Sequence, residues 1–182
     1  CEGLHAACVA YGVPLISGKD SMKNDAVLGG IKISIPPTLL VSLIGQMPAV
    51  DQAIGLEPEA AGDVVYLLGD TRLELDGSEL GRAESIPGTD VPRTDLERCW
   101  ARYLAFVEQR DAGRVRSAHV CARGGLAVAL AHMMLASELG MTLALDEAAG
   151  ALPIAGLLFS ESTGRIVLTA RPSDTTALER LI

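Results

Sequence analysis

Aromatic side chains are scarce in this 182-residue chain: one Trp, three Tyr and two Phe, or 3% of its residues. So few rings cannot build the stacking platforms on which single-stranded nucleic acid is held. Positive charge is also in short supply, with 15 Lys plus Arg against 23 Asp plus Glu and a formal net charge of −8. A field of that sign opposes nucleic acid and anionic membrane surfaces, so any anionic ligand has to be held by local donors. Cys1, Cys8, Cys99 and Cys121 form no C-x-x-C pair, and with His5, His119 and His132 they give no zinc spacing. That usage points to a reduced, cytoplasmic protein. Long apolar runs are missing as well. The stretch 125–136 is interrupted by His132, is too short to span a bilayer, and reads as a buried helix.

What is present suffices for a core. Apolar residues make up 49% of the chain, and the length suits one domain plus a piece of another. Residues 2–11 read as a helix with Leu4, Cys8 and Tyr11 on one face and Gly12 as its stop. Nothing ahead of it supplies a cap, and a helix capped by Ser173 or Asp174 is still running at the last residue, so a piece of a longer polypeptide is expected. Leu15-Ile16 reads as a strand, Ile31, Ile33 and Ile35 as a half-exposed strand, and 38–44 as a strand covered on both faces. The stretch 47–62 reads as a linker, which divides the chain into 1–48 and 49–182. Beyond it, strands are predicted at 64–68, 117–120, 143–145 and 164–170, with helices over 94–107 and 125–139. Thr94 and Glu97 have the spacing of a capping box, and Leu96, Trp100, Tyr103, Leu104 and Val107 supply the inward face. Strands alternating with helices make an α/β or α+β layer structure.

Chemistry concentrates in three places. Ser17-Gly18-Lys19-Asp20-Ser21-Met22-Lys23-Asn24-Asp25 packs a glycine, cations, carboxylates, hydroxyls and an amide into one loop after an apolar run. Lys19 can neutralise a phosphate as a point charge, and Asp20 or Asp25 can hold magnesium through oxygen. The same residues are also ordinary turn formers, so a solvated turn is the competing reading. The Gly-Lys here lacks the leading G-x-x-x-x-G of a phosphate-binding P-loop. The second place is His119-Val120-Cys121-Ala122-Arg123-Gly124-Gly125, where the amides of Gly124 and Gly125 open a helix and suit an anion, with Arg123 beside them. Arg123 pointing to solvent is the alternative. The third is Glu161, between Ser160 and Ser162, which either orients a ligand or closes a hairpin. His119 at a strand end either touches a ligand or packs, and His132 within its apolar helix reads as structural. No Cys/His arrangement supports a glutaminase.

The loop at 17–25, followed by Gly29-Gly30-Ile31-Lys32-Ile33-Ser34-Ile35-Pro36-Pro37, resembles the second half of phosphoribosylformylglycinamidine (FGAM) synthase of purine biosynthesis. Leu67-Leu68-Gly69-Asp70-Thr71, Asp76-Gly77-Ser78-Glu79-Leu80, Gly124-Gly125-Leu126 and Leu158-Phe159-Ser160-Glu161-Ser162 continue the likeness in the family's order. They also resemble the wider aminoimidazole ribonucleotide (AIR) synthetase superfamily.

The resemblance implies an AIR synthetase-like fold, with 1–48 the end of an N-terminal subdomain and 49–182 a C-terminal one. It implies an ATP-dependent carbon–nitrogen ligase, served by ATP or ADP and Mg2+ and by a glutamine amidotransferase domain or subunit, and it admits a homodimer. The isolated chain is then expected to be inactive. The resemblance favours Lys19, Asp20 and Ser21 as nucleotide or phosphate contacts, beside which the residues themselves make Ser17, Gly18, Gly124 and Gly125 further candidates and His119, Arg123 and Glu161 candidate ligand contacts. One departure stands out. The family's run resembles His-Asp-x-Ser-Asp-Gly-Gly-Leu, whose second Asp binds magnesium, whereas this chain places Arg123 there. A guanidinium cannot ligate a cation. A non-catalytic half that acts as a scaffold, and holds at most a structural nucleotide, is therefore the competing function.

Overall fold

The computed structural model describes residues 1–19, 25–86, 90–145 and 149–180. Its contacts divide the chain into two units, Cys1–Pro48 and Ala49–Ile182.

In the first unit, α1 spans Glu2–Tyr11 and ends where Gly12 takes φ 65° and returns its amide to the carbonyls of Cys8 and Val9. Glycine carries no steric penalty in that left-handed conformation. Strands β1 (Ala26–Leu28) and β2 (Ile31–Ile33) form an antiparallel hairpin with Leu28 opposite Ile31. The two-residue turn between them is Gly29 and Gly30, at φ 59° and 82°. A turn with positive φ at both central positions matches the twist of the strands it joins. The expected strands at 15–16 and 38–44 do not form. Ile16, Leu40 and Ile44 are 80%, 89% and 84% exposed, and no described residue of this unit is buried. An apolar run becomes a strand only when a neighbour takes its N–H and C=O groups, and the described part of the unit offers none.

The second unit comprises β3 (Val64–Leu68), α2 (Glu79–Ala83), α3 (Leu96–Asp111), β4 (Ser117–Val120), α4 (Gly125–Leu135), α5 (Ile154–Phe159), β5 (Ile166–Ala170) and α6 (Thr175–Leu178). The sheet order is β3-β5-β4, antiparallel throughout, with Val64 opposite Ala170 and Ser117 opposite Thr169. Central β5 is buried along its whole length. Its alternation supplies both cores. Val167 joins Leu126, Leu130, Met133 and Leu157 from α4 and α5, while Leu168 and Ala170 pack with Phe106 of α3 and Leu178 of α6. Helices on both faces explain why β5 reads as a continuous apolar run.

Three local expectations are corrected. Asp95, not Thr94, caps α3, its Oδ1 accepting from the Arg98 amide at 3.1 Å. A carboxylate there also meets the positive end of the helix. The inward face of α3 carries Cys99, Phe106 and Gln109, leaving Trp100 and Leu104 exposed. Cys99 lies against Gly164, where an added Cβ would fall 2.4 Å from its Sγ. Finally, α4 stops at Leu135, and Leu143 and Leu145 pack against the core without forming a strand.

Candidate functional site

The link from α5 to β5 organises the second unit. Glu161 Oε1 accepts from the Glu79 amide at 2.9 Å and from the Gly124 amide at 2.8 Å. Glu79 opens α2 and Gly124 caps α4. Amides at a helix start have no partner within the helix, and the dipole there favours negative charge. One carboxylate therefore ties two helix starts together. The Gly125 amide donates to the Ala122 carbonyl at 3.0 Å. Both glycine amides expected to face an anion are thus engaged within the chain, and the requirement for glycine is steric. Gly125 has φ +66°, and an added Cβ would lie 2.6 Å from the Ser160 carbonyl oxygen and 2.8 Å from that of Leu158.

Arg123 is exposed to solvent, as one of the two readings had it, and there it pairs with a carboxylate. Its Nε donates to Glu79 Oε1 at 2.8 Å and a terminal guanidinium nitrogen reaches the same oxygen. Hydrogen bonding and then charge from Arg123 hold the Glu79 carboxyl below its usual range, and Glu79 raises Arg123 in return. Arg123 is largely and Glu79 partly open to water, so the pair adds little stability. Its chemical consequence is larger. The Glu79 carboxylate beside residue 123 is neutralised by Arg123, and Glu161 Oε1 is committed to amides. Among the described residues no group of three or more His, Cys, Asp or Glu could hold a metal ion. Magnesium therefore does not fit residues 118–125, and no chemical step runs through it there.

Behind this surface lies a buried polar layer that sequence reasoning missed. Arg165, near the start of the strand expected over 164–170, is fully buried. It donates to the Ser162 carbonyl at 3.1 Å, to Thr71 Oγ1 at 2.9 Å and to the Ser160 carbonyl. Burial lowers its pKa from the usual guanidinium value, opposed by Cys121 and Glu74. Ser160 Oγ accepts from the Glu74 amide at 3.2 Å and Ser162 Oγ from the Arg72 amide at 3.1 Å. The only signal available in sequence was a dense polar tract between two apolar segments.

His119, at the end of β4, and His132, on α4, contact each other with Nε2 and Nδ1 3.1 Å apart. In the first unit Ser17, Gly18 and Lys19 are exposed, and Asp20 and Ser21 lie outside the described residues. Asp25, the other magnesium candidate, pairs with Lys32 Nζ at 2.7 Å. A cleft of about 480 Å3 between β3 and α3, walled by Leu68, Phe106 and Leu168 with Asp70, Arg98 and Arg102 on its polar side, contains none of the residues predicted from sequence.

Residues 60–182 match the family model described as AIR synthase related protein, C-terminal domain. The phosphoribosylformylglycinamidine synthase subunit PurL of Limosilactobacillus fermentum is 36% identical over 180 residues, 98% of this chain and 23% of that protein. The same subunit from Moorella thermoacetica is 37% identical over 172 residues, 94% of this chain and 22% of that protein. Among solved structures, T. maritima PurL complexed with FGAR superposes with a TM-score of 0.62 at 20% identity, covering 72% of this chain and 23% of that one. That likeness confirms the mixed α/β fold. The chain spans under a quarter of the length of these relatives.

Proposed function

The chain belongs to the AIR synthase related protein family through its C-terminal domain, and from that premise we propose that it forms part of an FGAM synthase. The reaction implied is phosphorylation of the amide oxygen of formylglycinamide ribonucleotide by ATP, followed by displacement with ammonia drawn from glutamine. Such chemistry depends on clamped phosphates and stabilised charge rather than on a protein nucleophile. Support for a nucleotide comes from T. maritima PurL, which has been solved complexed with ATP and with ADP. Support for partner subunits comes from the PurLQS structure of Thermotoga maritima. An ammonia source is then a glutamine amidotransferase domain or subunit, and the setting is cytoplasmic. The unburied apolar side chains of the first unit support its reading as the end of an N-terminal subdomain completed by other parts of the whole protein.

Within that enzyme this region acts as a scaffold and not as a metal-dependent catalytic centre. The observation that carries this is the Arg123–Glu79 pair standing where a magnesium-binding Asp is expected. The assay is ATP-dependent FGAM formation by the whole protein with ammonium as donor. Arg123→Ala is expected to leave kcat within about threefold, since exposed ion pairs contribute little. A fall of about a hundredfold, the size that follows loss of a transition-state donor, overturns the scaffold reading. No FGAM formation by the whole unmodified protein overturns the assignment itself.

The loop at 17–21 carries the remaining nucleotide reading. Lys19→Ala in the whole protein is expected to weaken ADP or ATP binding by about 1 to 3 kcal/mol, the range for a hydrogen bond to a charged group. Calorimetry gives the answer. Unchanged affinity returns the loop to a solvated turn.

A further inference from the structure

Two imidazoles meet across the junction of β4 and α4. His119 Nε2 and His132 Nδ1 are 3.1 Å apart, and their ring planes are tilted by 44°. In the metal-free pair one nitrogen donates and the other accepts. The same separation has a second use. Two metal–nitrogen bonds of about 2.0 to 2.1 Å, set at an angle between a right angle and tetrahedral, place their nitrogens about 2.8 to 3.4 Å apart. We propose that His119 and His132 form a chelating site for a late first-row divalent ion such as Zn2+, with water completing its coordination.

The chemistry of the donors selects the class of ion. Imidazole nitrogen suits Zn2+, Ni2+ and Cu2+, whereas Mg2+ takes oxygen ligands. The site is therefore unrelated to the magnesium discussed above. His132 is exposed and His119 half-buried, so an ion can enter from solvent and keep water on its outer side. Burial first, and His132 second, lower the pKa of His119, which favours the neutral form that a ligand requires. No proton need leave the pair on binding. The ring that donated within the pair moves its proton to its other nitrogen, and both facing lone pairs then turn to the metal. A bound ion would link the end of β4 to the third turn of α4.

The test is a zinc titration of the whole protein, followed by calorimetry and by imidazole 15N NMR. The expected result is one zinc ion bound per chain that moves the Nε2 resonance of His119 and the Nδ1 resonance of His132 together. His119→Gln and His132→Gln, which keep a polar atom at each position, should each weaken that binding at least tenfold. Cys1→Ser and Cys8→Ser should leave it unchanged. Identical zinc affinity and stoichiometry in the parent and both His variants overturns the proposal. So does a shift confined to one ring, which is an exposed histidine binding alone. The NMR measurement on the unsubstituted protein decides the matter even if a variant fails to fold.

Discussion

Gly125→Ala is expected to lower the free energy of unfolding by about 3 kcal/mol or more, the sum of left-handed strain and forced overpacking. The residue sits at φ +66°, and the new methyl would meet the Ser160 and Leu158 carbonyl oxygens at 2.6 and 2.8 Å. Those atoms belong to backbone that also positions Glu161 and Arg165, so moving them disturbs the Glu161 bridge between α2 and α4. Gly77→Ala is the matched control. It has φ +73° but nothing within 4 Å of the new methyl, so only the backbone penalty of about 1 kcal/mol applies. Urea unfolding of the two variants beside the parent measures both. Equal losses would show that the contact with the 158–160 backbone is not limiting.

Arg165→Met is expected to cost about 3 kcal/mol or more. The substitution is close in length, and it removes donors to the Ser160 and Ser162 carbonyls and Thr71 Oγ1 in a side chain with no solvent exposure. Buried acceptors left without partners cost about 1 to 3 kcal/mol each, partly offset by the apolar surface of Met. Arg165→Lys restores the charge but not the planar fork, so it should recover less than half of the loss. A Met variant as stable as the parent would mean that the polar layer contributes nothing beyond its volume.

Local rules made parts of this molecule legible in advance. Gly12 ended α1 where the pattern placed it, because a left-handed cap depends on one residue and its own helix. The strand at 64–68 was visible as a short apolar run, and a strand was also placed at 117–120. Motifs in the family's order across nearly the whole chain identified the kin of this protein before any coordinates did.

Sites were less legible because they depend on pairs far apart in sequence. Gly124 and Gly125 resemble an anion cradle as a string of letters, yet the Gly124 amide is answered by Glu161, 37 positions away, and Gly125 is constrained by the 158–160 backbone. Arg165 reads as one more residue of a strand and becomes the hub of a buried layer only when β5 takes the centre of the sheet. Nothing in the spacing of His119 and His132 reveals that a strand end and a helix turn bring them together. Composition, short-range periodicity and cap chemistry thus indicated the layered α/β class, because those signals act within a few residues, while the family was legible only as motifs matched in order along the chain. The strand order, the role of each glycine and the partner of every charged side chain awaited the tertiary structure, because a hydrogen bond or an ion pair acts only over the last few ångströms, and folding alone brings distant residues that close.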